Sequence, residues 1–294
     1  MVDGTQNLPP VRACLFDMDG LLIDSEDKYT DITNSILAKY GKGKLPWEIK
    51  AQLQGRPQPD AAKIFHHWAQ LPISHDEYMK QVSEQQAKFF PESQPLPGVT
   101  TLLKDLVATR KTSNPVYIAL ATSSHRRNYE LKTNHLGSLF SLFPEPNRVL
   151  GDDPRIGKGR GKPLPDIYLL ALETINAELR ERGEKEITPE ECLVFEDAVP
   201  GVEAGRRAGM RVIWCPHPGL LEAYKGREEE VLAGLTGEHK EEEKSEQERE
   251  AEQLVAGRLQ SAGKPGKLGD GLGEVLSTLE NFPYERYGIR LADL

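Results

Sequence analysis

Nothing in this chain of 294 residues approaches the run of about twenty apolar residues that spans a bilayer. The first ten residues, MVDGTQNLPP, are polar and lack the apolar core of a secretory signal. Cysteine is scarce. Cys14, Cys192 and Cys215 are odd in number and scattered, which excludes a disulfide framework. Two of them sit in apolar, strand-like runs and read as buried free thiols of a reducing compartment. No basic patch suggests nucleic acid. The histidines lack metal-ligand spacing: His66 and His67 are adjacent, so they point in different directions around a helix. The expectation is a cytoplasmic monomer with no membrane and no nucleic-acid partner.

The net charge of -9 is unevenly spread. Between Glu222 and Glu252 there are 12 acidic and 5 basic residues, leaving only -2 for the rest of the chain. The acidity thus belongs to one segment and says little about a substrate.

Apolar runs begin at Val11 to Phe16, a strand fit to be buried on both faces. Asp17-Met18-Asp19-Gly20 follows it. Asp24-Ser25 offers N-cap chemistry, and Tyr29, Ile32, Ile36, Leu37 and Tyr40 recur at helical spacing up to Gly41. Up to Pro97 the chain reads as helical, with no convincing strand. Pro91, Pro95 and Pro97-Gly98 mark a hinge-like exit. After Gly98 strands and helices alternate. Val116 to Ala121 runs into Thr122-Ser123-Ser124. Arg148 to Leu150 runs into Gly151-Asp152-Asp153, and Asp152 and Asp153 suit turns and capping. Cys192 to Phe195 runs into Glu196-Asp197, and Arg211 to Trp214 is a fifth strand. Pro165 suits the first turn of a helix. This rhythm implies an α/β class: a doubly wound, Rossmann-like parallel sheet core with a helical cap domain. The expected division is a core of residues 1–24 and 98–294 and a cap of 25–97. An acidic surface insertion at 222–267 would be a solvated helix or disordered, with Leu276, Leu279 and Phe282 rejoining the core.

Four polar clusters follow four apolar runs: Asp17/Asp19, Thr122/Ser123, Lys162 after a loop, and Glu196/Asp197. Ligands of open α/β sheets bind beyond the carboxyl ends of the strands, so all four fall at one edge. Carboxylates, hydroxyls, backbone N–H groups and one ammonium are the equipment of metal-assisted phosphoryl transfer. Ionised aspartates would repel a phosphate dianion, and Mg²⁺ together with Lys162 must offset that repulsion. The loop ending in Gly161-Lys162 is no nucleotide loop, because Ile156 replaces the first glycine and Pro163 the Ser/Thr.

DMDGLLIDSE, ALATSS, GKPLPDIY and LVFEDAVPGVEAGRRAGM resemble, in order and spacing, the four motifs of the haloacid dehalogenase-like hydrolase superfamily. Within it the chain looks most like the pseudouridine-5'-phosphatase and β-phosphoglucomutase-like phosphatases, and LGDDP and the ending LENFPYERYGI strengthen the tie to the first of these. The resemblance implies that Asp17 is the nucleophile, forming an aspartyl-phosphate, and that Asp19 is the acid and base. It implies that Thr122 and the Ser123 N–H hold the phosphoryl oxygens and that Lys162 neutralises charge. Asp17, the Asp19 carbonyl and Asp197 would bind Mg²⁺, with Glu196 joining through water or by orienting a ligand. Gly55 and Arg56 resemble a substrate-facing cap loop. The implied activity is Mg²⁺-dependent hydrolysis of a small phosphorylated metabolite, a sugar phosphate or a nucleoside monophosphate. A sugar-phosphate mutase shares every motif, and isomerisation of a hexose 1-phosphate would reveal it. A non-catalytic interaction protein docking through the acidic segment is the rival of another class, which a phosphatase assay separates.

Overall fold

The computed structural model describes residues 8–54, 58–237 and 263–291. Its sheet is built from β1 (Ala13–Phe16), β2 (Tyr117–Ala121), β3 (Arg148–Val149), β4 (Cys192–Glu196), β5 (Arg211–Trp214) and β6 (Gly273–Val275). The order is β3-β2-β1-β4-β5-β6, and every pairing is parallel. Successive side chains of a strand face opposite sides. Ala13 and Leu15 accordingly enter one apolar cluster, and Cys14 and Phe16 the other. A strand buried on both faces has no use for polar residues, which is why β1 reads as a continuous apolar run. The chain goes from β1 to β2 on one side and later to β4 on the other. The crevice of this doubly wound fold therefore opens at the carboxyl end of β1.

Between β1 and β2 lies the helical cap: α1 (Ser25–Lys39), α2 (Trp47–Leu53), α3 (Gln58–Ala69) and α4 (His75–Phe89), closed by a single turn at Phe90–Glu92. Ile32, Ile36, Leu37, Phe65, Tyr78 and Phe90 form its own buried cluster. The two chain segments that join it to the sheet are paired. Asp24 N donates to Gln94 O at 3.0 Å and Leu96 N to Leu22 O at 3.0 Å. The Asp24 carboxylate accepts from Gln94 N at 2.7 Å. Asp24 stands at the N-cap position of α1 but makes no side-chain cap bond, because its carboxylate ties the two connections together instead.

On the Cys14/Phe16 face pack α5 (Val99–Ala108), α6 (Arg126–Thr133) and α7 (Gly137–Phe140). The opposite face is covered by α8 (Asp166–Glu181), α9 (Val199–Arg207), α10 (Pro218–Ala223) and α11 (Glu228–Ala233). Pro165 takes the N-cap position of α8, one residue before its first turn. Cys14 and Cys192 are buried free thiols, and Cys215 is half-buried and free. Leu279, Phe282, Tyr287 and Ile289 return to the first face. There Gly98, at φ 82°, lies so close to the tail that a Cβ would come within 2.3 Å of the Leu279 carbonyl carbon. Only glycine meets both demands.

The acidic segment needs correction. Residues from 222 onward were expected on the surface. Instead Tyr224, Val231, Leu232 and Ala233 are buried. Two runs of glutamate flank a three-residue apolar stripe, which α11 turns against the sheet. The sixth strand, β6, was also not expected and pairs with β5. Residues 238–262 of the segment lie outside the described residues. No helix among the described residues is long and apolar enough to cross a membrane.

Candidate active site

At the carboxyl end of β1 the ladder continues one step, with Asp17 N donating to Phe195 O at 3.0 Å. That bond aims Asp17 into the crevice. Gly20 follows at φ 80°, and a Cβ there would come within 2.3 Å of Asp197 Oδ2. A side chain at position 20 would displace the carboxylate, so glycine is required by conformation and by space.

Lys162, on the loop before α8, is buried and uses its three donors fully. Its Nζ donates to Asp17 Oδ1, to Glu196 Oε1 at 2.6 Å and to the Ala121 carbonyl at 3.0 Å. Glu196 is held on every side. Tyr168 OH donates to its Oε1 at 2.6 Å, while Asp197 N and Ala198 N donate to its Oε2 at 3.0 and 3.1 Å. Glu196 thus fixes Lys162 and secures the turn into α9. Burial first, and the Glu196 charge second, push the Tyr168 pKa up, so its hydroxyl stays a donor.

Asp17, Glu196 and Asp197 bring one carboxylate oxygen each within 4.8 Å of one another. Burial pushes the Asp17 carboxyl up to about 7, against the pull of Lys162 and with the push of Glu196 and Asp19. Burial, then the charges of Glu196 and Asp17, hold Asp197 well above the carboxylate range. The buried ammonium offsets only part of this negative charge. Asp17 and Asp197, which unlike Glu196 keep oxygen lone pairs to spare, offer the hard donors that fit a divalent cation, whose charge would return both to their ionised forms.

Asp19 is gripped by four side chains. Ser25 Oγ donates to Oδ1 at 2.5 Å and Lys132 Nζ donates to the same oxygen. Ser124 Oγ donates to Oδ2 at 2.7 Å, and Thr122 Oγ1 reaches that oxygen at 3.4 Å. Burial would raise the Asp19 pKa. The ammonium of Lys132, with its hydrogen bond and those of Ser124 and Ser25, outweighs burial and leaves it below the usual value. Thr122 also accepts from Ser124 N at 3.0 Å, closing the turn after β2.

The structure brings Asp17, Asp19, Thr122, Lys162, Glu196 and Asp197 into one crevice. Ser123 stands at its rim with an exposed side chain. Gly55 and Arg56 lie outside the described residues. Gln54, just before them, is buried and donates from Nε2 to Asp197 Oδ2 at 2.7 Å, so α2 delivers the chain to the site. Asp152 caps α6, accepting from Arg126 N at 3.1 Å. Sequence reasoning passed over Lys132, Ser124, Ser25 and Gln54. For Lys132 one signal was present: it follows Tyr129 by three residues and so shares the buried face of α6.

The family model for hydrolases of the haloacid dehalogenase-like kind matches residues 11–209. A protein of Saccharomyces cerevisiae named as a probable pseudouridine-5'-phosphatase is 48% identical over 225 residues, 76% of this chain and 90% of that one. The mitochondrial (DL)-glycerol-3-phosphatase 1 of Arabidopsis thaliana is 36% identical, covering 75% of this chain and 69% of its own. Among solved structures, a hydrolase of the same family from Deinococcus radiodurans, holding phosphate and sodium, is 28% identical with a TM-score of 0.53. That match covers 71% of this chain and 82% of the other.

Proposed function

The chain belongs to the haloacid dehalogenase-like hydrolase family and is a phosphoric monoester hydrolase, and from that premise we propose that Asp17, Asp19, Thr122, Lys162 and Asp197 carry out the reaction with Mg²⁺. The carboxylate oxygen of Asp17 attacks phosphorus, and the bond from phosphorus to the ester oxygen breaks. Asp19, ionised in the resting site, takes up the proton that a monoester monoanion brings and passes it to the departing alkoxide. Asp19 then takes a proton from water as that water attacks the aspartyl-phosphate, releasing inorganic phosphate and restoring Asp17. Lys162, Thr122 and the N–H of Ser123 hold the phosphoryl oxygens. Asp17, Asp197 and the Asp19 carbonyl would hold the cation, which when bound offsets the charge of the carboxylates and phosphate. Glu196 keeps Lys162 in place.

The observation that carries this reading is the Lys162 ammonium seated between Asp17 and Glu196, within a trio of buried carboxylates grouped closely enough to hold a cation. The substrate we favour is a small phosphorylated metabolite with a hydroxylated leaving group, such as pseudouridine 5'-phosphate, glycerol 3-phosphate or a sugar phosphate. The cap chooses among them, with Arg56 and Gly55 following directly on Gln54. The test is phosphate release from a panel of these esters with Mg²⁺. Activity should vanish in EDTA and return with Mg²⁺. Asp17→Asn should leave no measurable turnover in a folded protein, because an amide cannot form the intermediate and uncatalysed monoester hydrolysis needs up to ~10²¹-fold help. Wild-type turnover by a folded Asp17→Asn protein would remove the nucleophile from this scheme.

A further inference from the structure

Lys132 is fully buried, with no exposed surface. Among the described residues its one ion-pair partner is Asp19. Its remaining donors go to Ser124 Oγ at 2.8 Å and Tyr29 OH at 3.0 Å. Its ammonium lies over two rings, Tyr29 at 4.7 Å and Phe90 at 4.6 Å. These rings meet edge to face at 4.9 Å. Tyr29 stands on α1, where the chain enters the cap, and Phe90 on the turn where it leaves. Lys132 itself belongs to α6 of the core.

An ammonium without water is costly, and an apolar side chain of equal length would fill a slot between two rings at no such cost. The charge therefore serves its partner. Asp19 has to present one oxygen first to the leaving group and then to water, and Lys132 reaches it both directly and through Ser124. We propose that Lys132 is a positioning residue for Asp19, seated by Tyr29 and Phe90, so that the cap connections set the orientation of the acid–base carboxylate. This rests on the role given to Asp19 above.

The test compares wild type and Lys132→Met, in excess Mg²⁺, on two esters: glycerol phosphate and p-nitrophenyl phosphate. The first needs a proton on its leaving oxygen, and nitrophenolate leaves without one. With glycerol phosphate kcat should fall about 100-fold at little-changed KM, the scale of general acid–base catalysis. With p-nitrophenyl phosphate the first step should survive while hydrolysis of the intermediate slows, so a burst of nitrophenol matching the enzyme concentration should appear. Equal losses on both esters without a burst, or wild-type kinetics, would overturn the proposal. Tyr29→Phe keeps the ring and removes one bond to Lys132, and it decides the matter if Lys132→Met does not fold. Its loss on glycerol phosphate should exceed that on p-nitrophenyl phosphate by about tenfold to a hundredfold, the reach of one hydrogen bond from a charged group. Equal losses would overturn the proposal. If wild type hydrolyses neither ester, the phosphatase reading falls too; if it hydrolyses both and the variants match it, this proposal falls alone.

Discussion

Asp17, Glu196 and Asp197 are three buried carboxyls facing one another, with a single ammonium, that of Lys162, bonded to two of them. Without a cation the site must hold protons on groups that would otherwise be ionised, which is the direction in which Asp17 and Asp197 are pushed. A divalent cation that binds the folded protein alone stabilises it by mass action, about 2.7 kcal/mol at a hundred times its Kd. For a chain of this size that is about 4–5 °C in Tm. The shift should disappear in Asp197→Asn, which removes one oxygen donor of charge. An undiminished shift in that variant would place the cation elsewhere. The trio and Lys162 were legible in the sequence because the trio follows apolar runs and Lys162 opens the turn Lys162-Pro163-Leu164-Pro165-Asp166. Lys132 was not. Its partner lies 113 positions away, and its spacing from Tyr129 marks a buried helix face without showing what charge would meet the ammonium. Gln54 was hidden in the same way, 143 positions from Asp197.

Elements meet the site from the cap side through α2. Trp47 stacks on His217 of the core, centroids 4.6 Å apart and planes 23° apart, with Lys50 Nζ 4.5 Å from the Trp47 centroid. Gly219 admits the indole, since a Cβ there would lie 2.1 Å from Trp47 Cε2. Burial first, and the Lys50 charge second, lower the His217 pKa against the pull of Asp27. The folded value therefore lies below the unfolded one of about 6.5, and the unfolded chain takes the proton first. Stability from this contact is full above the unfolded value and is lost as pH falls through the folded one. Between about pH 7.5 and about pH 5.5 the Tm of wild type should drop further than that of His217→Gln. Parallel drops would mean that the ring titrates without feeling α2. Strands β1 to β5 could be read from apolar runs alone. β6 could not: its three residues, Gly-Glu-Val, are half-buried and owe their conformation to pairing with β5. Local pattern cannot report a strand made by its neighbour.

For the whole molecule, the question is where the acidic segment stops being part of the fold. α11 packs on α9 and β6, and Val231, Leu232 and Ala233 are buried there. Both flanks of the stretch 238–262 come to the same place. Gly266 N donates to Ala233 O at 2.8 Å. A Cβ on Gly234 would lie 3.2 Å from the Glu203 Cα, and one on Gly263 2.0 Å from the Arg207 carbonyl oxygen. The ends are thus pinned side by side against the last turn of α9, whatever length joins them. Closing a loop costs only about 0.6 kcal/mol per doubling of its length. Replacing 238–262 with a short Gly/Ser linker should leave Tm within about 2 °C and kcat within about twofold. Carrying the deletion back to Glu228 is different. It strips Val231 and Leu232 from the core, at about 1.5–3 kcal/mol each, and uncovers β6. That variant should lose about 5–10 °C in Tm. Thermal melts and phosphate release on the two deletions make the comparison. Equal behaviour would show that α11 is dispensable to the sheet. A collapse of kcat in the shorter deletion at unchanged Tm would show that residues 238–262 reach the crevice.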